Sequence, residues 1–344
     1  EELLEAIKNK KIGVISLGCD KNRVDTEKML AVLSTRHKLV SSIEEAEIII
    51  VNTCAFLESA RKEAITEVLT ASSLKTSGKA QKIIVTGCLP QNYVGELFGA
   101  LNEADAFLGV SDYSKINEVI DKIYQGERIN AVGTPCNEPL IDRVKTTDGY
   151  AYLKIADGCS NHCTYCLIPK IRGKYRSIPT EELLREVESL GDIKELILVA
   201  QDVTKYGYDL TPQTSLVQLI RRLSALKNVG GIRLLYCYPE NITDELINEF
   251  KVNAKMIRYI DVPLQHADDN VLKLMNRKGT GEQYLSLIEK LKREVPGIAI
   301  RSTFITGFPG ETDFDFSETK SFLSSLDAPS PDHLATSNGQ LPSF

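Results

Sequence analysis

The chain has 344 residues, 42% of them hydrophobic, and a formal net charge of −6. That length gives a prior of two or three domains with a sizeable core, and the acidic balance argues for a basic protein partner over a nucleic acid. No apolar run is long enough to cross a bilayer, and the opening EELLEAIKNKK is charged, without a signal-peptide stretch, so a cytoplasmic protein that leaves membranes alone is expected.

From residue 10 to 126, short β-branched runs alternate with helical patterns. IGVISL (12–17), IIIVNT (48–53) and IIVTG (83–87) read as strands, 22–34 and 57–73 as helices, and DAFLGV with a helix near 112–125 closes the unit. Such alternation predicts a parallel sheet with crossover helices. Residues 127–149 carry Pro and Gly without a sustained period and read as a linker. A second alternating block occupies 150–326. Its strands fall at 152–156, 195–200, 231–236, 256–262 and 298–305, and its helices near 180–190, 215–226, 243–252, 268–276 and 282–294. Five strand–helix units in succession predict a barrel or partial barrel, with its site at the carboxyl ends of the strands. The last stretch, 327–344, is rich in Pro, Ser and Asp and is expected to be a disordered tail.

Eight cysteines without a signal peptide point to metal or redox chemistry and away from disulfides. Three of them, Cys159, Cys163 and Cys166, crowd one loop, DGCSNHCTYC, directly after the strand YLKIA. Iron–sulfur cubes take thiolate ligands, and three cysteines leave one iron of a [4Fe–4S] cube open to the amino and carboxylate groups of S-adenosylmethionine. Zinc is the alternative, but it wants a fourth ligand, and His162 lies awkwardly inside the loop. Cys19, Cys54 and Cys88 each follow a predicted strand. In one parallel sheet those strand ends share an edge, so the three can meet as a second metal site. Three buried structural thiols are the plainer alternative. Gly18 and Gly87 would let backbone approach closely. Cys136 and Cys237 have no such company and read as non-ligands.

Other candidates each carry two readings. Tyr165 suits a contact to adenine or packs to close the loop. Gln201, Asp202, Arg301 and the GFPG turn (307–310) hold the cofactor or support the fold. Arg172 and Arg176 grip carboxylates or form a solvated basic face. Lys21 and Asn22 orient the second cluster, or Asn22 caps the following helix.

The combined motifs resemble the radical-SAM methylthiotransferases over about residues 10–316. They are SLGCDKNRVDTE (16–27), NTCAF (52–56), TGC (86–88), GCSNHCTYCLIPKIRGKYRS (158–177), LVAQD (198–202), DVPLQHADDNVLKLMNR (261–277) and RSTFITGFPGET (301–312). The resemblance implies an α/β chain: a Rossmann-like methylthiotransferase domain (10–126), then a partial (β/α) radical-SAM barrel (150–326). It implies two [4Fe–4S] clusters, on Cys19, Cys54 and Cys88 and on Cys159, Cys163 and Cys166. It also implies S-adenosylmethionine, with Tyr165, Gln201, Asp202 and Arg301 as candidates to hold it. No side chain is expected as acid or base, because an inert C–H bond yields to hydrogen-atom abstraction once an electron, from a donor such as flavodoxin or ferredoxin, has cleaved the cofactor.

Lys21-Asn22, Leu264-Gln265-His266-Ala267 and Arg301-Ser302-Thr303-Phe304 resemble the ribosomal branch, RimO, which modifies the β-carbon of an aspartate in the small-subunit ribosomal protein S-twelve. Asp20 and Ala55 depart from that branch, and NTCA is more familiar from the tRNA branch, MiaB, which acts on a modified adenosine beside the anticodon. The tRNA activity is therefore the alternative; an inactive, truncated iron–sulfur or zinc-binding protein is a third reading. Family members continue through a sixth barrel strand and a small TRAM domain. Neither is recognisable here, and truncation is expected.

Overall fold

The computed structural model describes residue 7, residues 9–136 and residues 143–326. The expected tail (327–344) and part of the expected linker (137–142) lie outside the described residues. The chain forms two compact units. One takes the described residues up to Thr146 together with Leu167–Lys174; the other takes Thr147–Cys166 and the chain from Tyr175 onward.

In the first unit the predicted alternation is present. The elements are β1 (Lys11–Ser16), α1 (Asp20–Ser34), β2 (Lys38–Leu39), β3 (Ile48–Thr53), α2 (Glu58–Ser77), β4 (Lys82–Gly87), α3 (Cys88–Ala100), β5 (Ala106–Leu108), α4 (Ile116–Tyr124) and β6 (Ile129–Ala131), with a short α5 (Ile168–Ile171) from the later segment. The sheet is parallel throughout, in the order β2-β1-β3-β4-β5-β6. The central strand β3 is buried at all six positions, as a strand covered on both faces must be. Its Ile48, Ile49, Ile50 and Val51 are wholly inaccessible, each contributing roughly 1.5–3 kcal/mol through burial.

Two expectations need correction. The linker reading of 127–149 hid β6, which pairs with β5 through Ala106↔Ile129 and Leu108↔Ala131. Three residues carry too little period to be read as a strand. Helix α3 went unread because Pro90, Gly95 and Gly99 mask its pattern. Pro90 is tolerated because it stands in the first turn, where backbone N–H groups lack helical partners.

The second unit has a five-stranded parallel sheet whose strands follow one another across it in chain order. Its strands are β7 (Tyr150–Lys154), β10 (Glu195–Val199), β11 (Ile232–Leu234), β12 (Met256–Asp261) and β13 (Ala299–Arg301). A small antiparallel pair, β8 (Ala156–Asp157) with β9 (Arg176–Ser177), brackets the cysteine loop. Each new strand adds beside the last, with α6 (Thr180–Ser189), α7 (Leu216–Ala225), α8 (Asp244–Val252) and the pair α9 (Asp269–Leu274) and α10 (Gly281–Glu294) as crossovers. That sequential winding is how a partial (β/α) barrel is built. A last helix, α11 (Asp313–Ser325), opens with a capping box on Thr312. Among the described residues no helix is long and apolar enough to cross a membrane.

Candidate metal centres and cofactor site

Cys19 is the N-cap of α1, Cys54 directly follows β3, and Cys88 opens α3 directly after β4. Since β1, β3 and β4 are adjacent and parallel, the three thiols stand along one carboxyl edge. Polar side chains hold that edge. The Asn22 amide donates to the carbonyls of Leu17 and Thr53 at 3.3 and 3.0 Å. Asn52 donates to the Asn22 carbonyl at 3.0 Å and to the Thr26 hydroxyl at 2.8 Å. Asn22 is thus not the helix cap: it stands inside the first turn of α1, and its side chain braces the loops that carry Cys19 and Cys54. Lys21 is buried and faces the Asp20 carboxylate at 3.4 Å.

The thiols feel one another. Burial pushes the Cys88 thiol up to about 12, with the Arg172 charge pulling down and Cys19 and Cys54 adding to the rise. Burial also raises Cys54, against backbone N–H of Phe56, with Cys19 again adding. Cys54 and Cys88 thus resist ionisation until a cation compensates them, which is the behaviour of a thiolate metal site. None of the described cysteines is in a disulfide. Among the described residues no three His, Cys, Asp or Glu side chains converge on a single ion. A cluster with several irons does not ask this of its ligands, because each thiolate takes its own iron.

Gly87 makes this edge possible. It sits at φ +97°, and a Cβ there would meet Asn52 Oδ1 at 2.4 Å and the Thr53 carbonyl at 2.6 Å. Gly87→Ala is expected to destabilise the protein by about 3 kcal/mol, from the strained φ plus displacement of Asn52. Urea denaturation of the metal-free protein checks this.

In the second unit, Cys159, Cys163 and Cys166 lie on the loop beyond β8. Burial raises the Cys159 thiol, a backbone N–H of Asn161 lowers it, and Asp202 and Cys163 raise it further. The loop is pinned from two sides. On one, Asn161 donates to Asp202 Oδ2 at 3.2 Å and accepts from Lys205. On the other, it docks on the end of α9: Thr164 N–H donates to the Met275 carbonyl at 3.2 Å, and Asn276 donates to the His162 carbonyl at 2.9 Å. His162, at φ +54°, is a loop residue. The Tyr238 hydroxyl lies 3.8 Å from Cys163 Sγ, and the Arg277 guanidinium stacks 3.8 Å from the Tyr238 ring centre. The MNR segment of the sequence thus supports the cysteine loop, a role that only the fold reveals.

The remaining candidates separate. Gln201 donates to Asp157 at 3.2 Å, while its buried Oε1 has no partner among the described residues. Asp202 is fully buried. One of its carboxylate oxygens takes Thr204, and the other takes Asn161 and Asn241. It is engaged as a brace of the loop. Tyr165 lies edge-on to Phe308 of the GFPG turn, ring centres 6.4 Å apart. Arg301 is exposed at the end of β13, its Nε 4.0 Å from Asp261. Arg172 is buried in the first unit against Asp25 and Asn22, not on a solvated face. Arg176 lies in β9, its backbone paired with Asp157. Cys136 is exposed, and Cys237 is buried with its thiol raised by that burial.

Comparison with known proteins agrees with this layout. Residues 153–323 match the Radical SAM superfamily, and residues 11–109 match the uncharacterized protein family UPF0004. The ribosomal protein uS12 methylthiotransferase RimO of Lachnoclostridium phytofermentans is 48% identical over 91% of this chain and 72% of its own. The RimO proteins of Clostridium perfringens and Clostridium botulinum are 46% and 48% identical, over 92% of this chain and 72% of theirs. Among solved structures, the cobalamin-dependent S-adenosylmethionine radical enzyme OxsB superimposes with a TM-score of 0.66 at 14% identity. That match covers 94% of this chain and 53% of OxsB, and carries the fold alone. With such identity across nearly all of its length, the chain belongs to the RimO family of radical-SAM methylthiotransferases.

Proposed function

We propose that this protein methylthiolates the β-carbon of an aspartate in ribosomal protein uS12, with Cys159, Cys163 and Cys166 holding one [4Fe–4S] cluster and Cys19, Cys54 and Cys88 the other. The observation that carries the reading is a pair of cysteine triads on the carboxyl edges of two parallel sheets, in a chain 48% identical to a uS12 methylthiotransferase. When bound, the clusters and S-adenosylmethionine supply the electron, the radical and the sulfur that an inert C–H bond demands.

The chain's own part is to hold and orient. Asp202, Asn161 and Asn276 fix the loop of the first triad, and Tyr238 faces the Cys163 sulfur. The unpartnered Oε1 of Gln201 is an acceptor suited to the ammonium of S-adenosylmethionine, and the exposed guanidinium of Arg301 suits a carboxylate. Tyr165 and Phe308 form an aromatic corner suited to adenine. The net charge of −6 favours a basic ribosomal protein over a polyanion. A low-potential one-electron carrier, flavodoxin or ferredoxin in kind, would feed the reaction, and a ribosomal substrate suits a cytoplasmic location.

The test is to incubate the anaerobically reconstituted protein with S-adenosylmethionine, reductant and, in parallel, uS12 or isopentenylated tRNA. Mass spectrometry should find one methylthio group on a uS12 aspartate. Modification of the tRNA alone would overturn the reading.

A further inference from the structure

Arg172 stands in the segment Leu167–Lys174, which follows Cys166 in sequence yet packs in the first unit, where Ile171 joins the apolar core. Its side chain is 2% exposed. One terminal nitrogen donates to Asp25 Oδ2 at 3.0 Å. The other donates to Asn22 Oδ1 at 2.6 Å and reaches Cys88 Sγ at 3.7 Å. Asn22 in turn donates to the carbonyls of Leu17 and Thr53, close in sequence to Cys19 and Cys54. A single guanidinium therefore touches one candidate ligand directly and braces the loops of the other two through one amide.

A buried ion pair used only for stability is replaceable by apolar packing, often at no loss. Apolar packing cannot put an N–H beside a ligand sulfur. Hydrogen bonds and charge at ligand sulfurs are what set cluster retention and potential. We propose that Arg172 is a positioning residue of the Cys19–Cys54–Cys88 cluster, holding the Cys88 thiolate and stabilising the reduced cluster. The inference rests on the assignment of that triad to a cluster.

The experiment uses the full chain with Cys159, Cys163 and Cys166 changed to alanine, so that all cluster iron sits on the other triad. Iron, sulfide, electron paramagnetic resonance and the midpoint potential are read after anaerobic reconstitution. Arg172→Gln should lose iron to a chelator roughly tenfold faster and shift the midpoint to more negative values. Arg172→Lys, which keeps the charge without the fork, should restore most of the midpoint and little of the retention. Arg172→Gln combined with Asp25→Asn leaves no uncompensated charge, so it should fold as the parent does and still show both defects. If these variants match the parent in retention, spectrum and midpoint, Arg172 is structural only and the inference falls by itself. A parent that binds no iron would overturn the cluster assignment, and this inference with it.

Discussion

Replacing Cys159, Cys163 and Cys166 together with alanine is expected to abolish conversion of S-adenosylmethionine to 5′-deoxyadenosine while leaving about half of the iron in place. Each triad lies wholly within one compact unit and takes its electrostatic neighbours from that unit. The two centres should therefore load independently. Under dithionite the triple variant should release no more 5′-deoxyadenosine than a protein-free control. The reciprocal variant, lacking Cys19, Cys54 and Cys88, should still cleave the cofactor, because cleavage needs only an electron and the loop cluster. Iron analysis and chromatography of the nucleoside check both halves. Total loss of iron from the first triple variant would mean one shared centre.

Arg277 is expected to be the most sensitive residue outside the cysteines. Its guanidinium is 2% exposed, stacks on Tyr238, donates to the Pro263 carbonyl at 2.9 Å and faces Glu240 at 3.9 Å. Arg277→Met keeps the bulk but takes the donor from the Pro263 carbonyl and the counter-charge from Glu240, which keeps only the Gly279 N–H and the Tyr284 hydroxyl. Removing one partner of a buried pair costs about 3–5 kcal/mol. Lysine should rescue little, since a compact ammonium neither stacks flat nor reaches two acceptors in one plane. Urea denaturation of the metal-free protein gives the stability. A loss below about 1 kcal/mol would place Arg277 among dispensable contacts. Because Asn276 beside it holds the His162 carbonyl, cofactor cleavage should fall along with stability.

The alternation of strands and helices was legible because apolar runs of β-branched residues are local signals. So were the three cysteines at strand ends, since a parallel sheet puts all such ends on one edge. What escaped was set by partners distant in sequence. β6 is three residues long and exists because β5 offers a free edge. Asp202 could hold the cofactor or support the fold, and the donors that engage it, Asn161 and Asn241, stand 41 and 39 residues away. Arg172 could grip a carboxylate or lie on a solvated face, and nothing local pointed to its counterion Asp25, 147 residues earlier. Asn276 and Arg277 had no pattern at all that tied them to the cysteine loop.

The chain crosses between its two units at Thr146/Thr147, leaves again after Cys166, and returns at Tyr175. No single cut yields the first unit intact: a fragment ending at residue 146 would leave the buried Asp25 without Arg172. A viable swap between relatives must carry two pieces of gene at once, the N-terminal stretch and eight codons from within the radical-SAM half. Inheritance of the two halves is thereby linked, and substitutions near Asp25 and near Arg172 should be exchanged as a set.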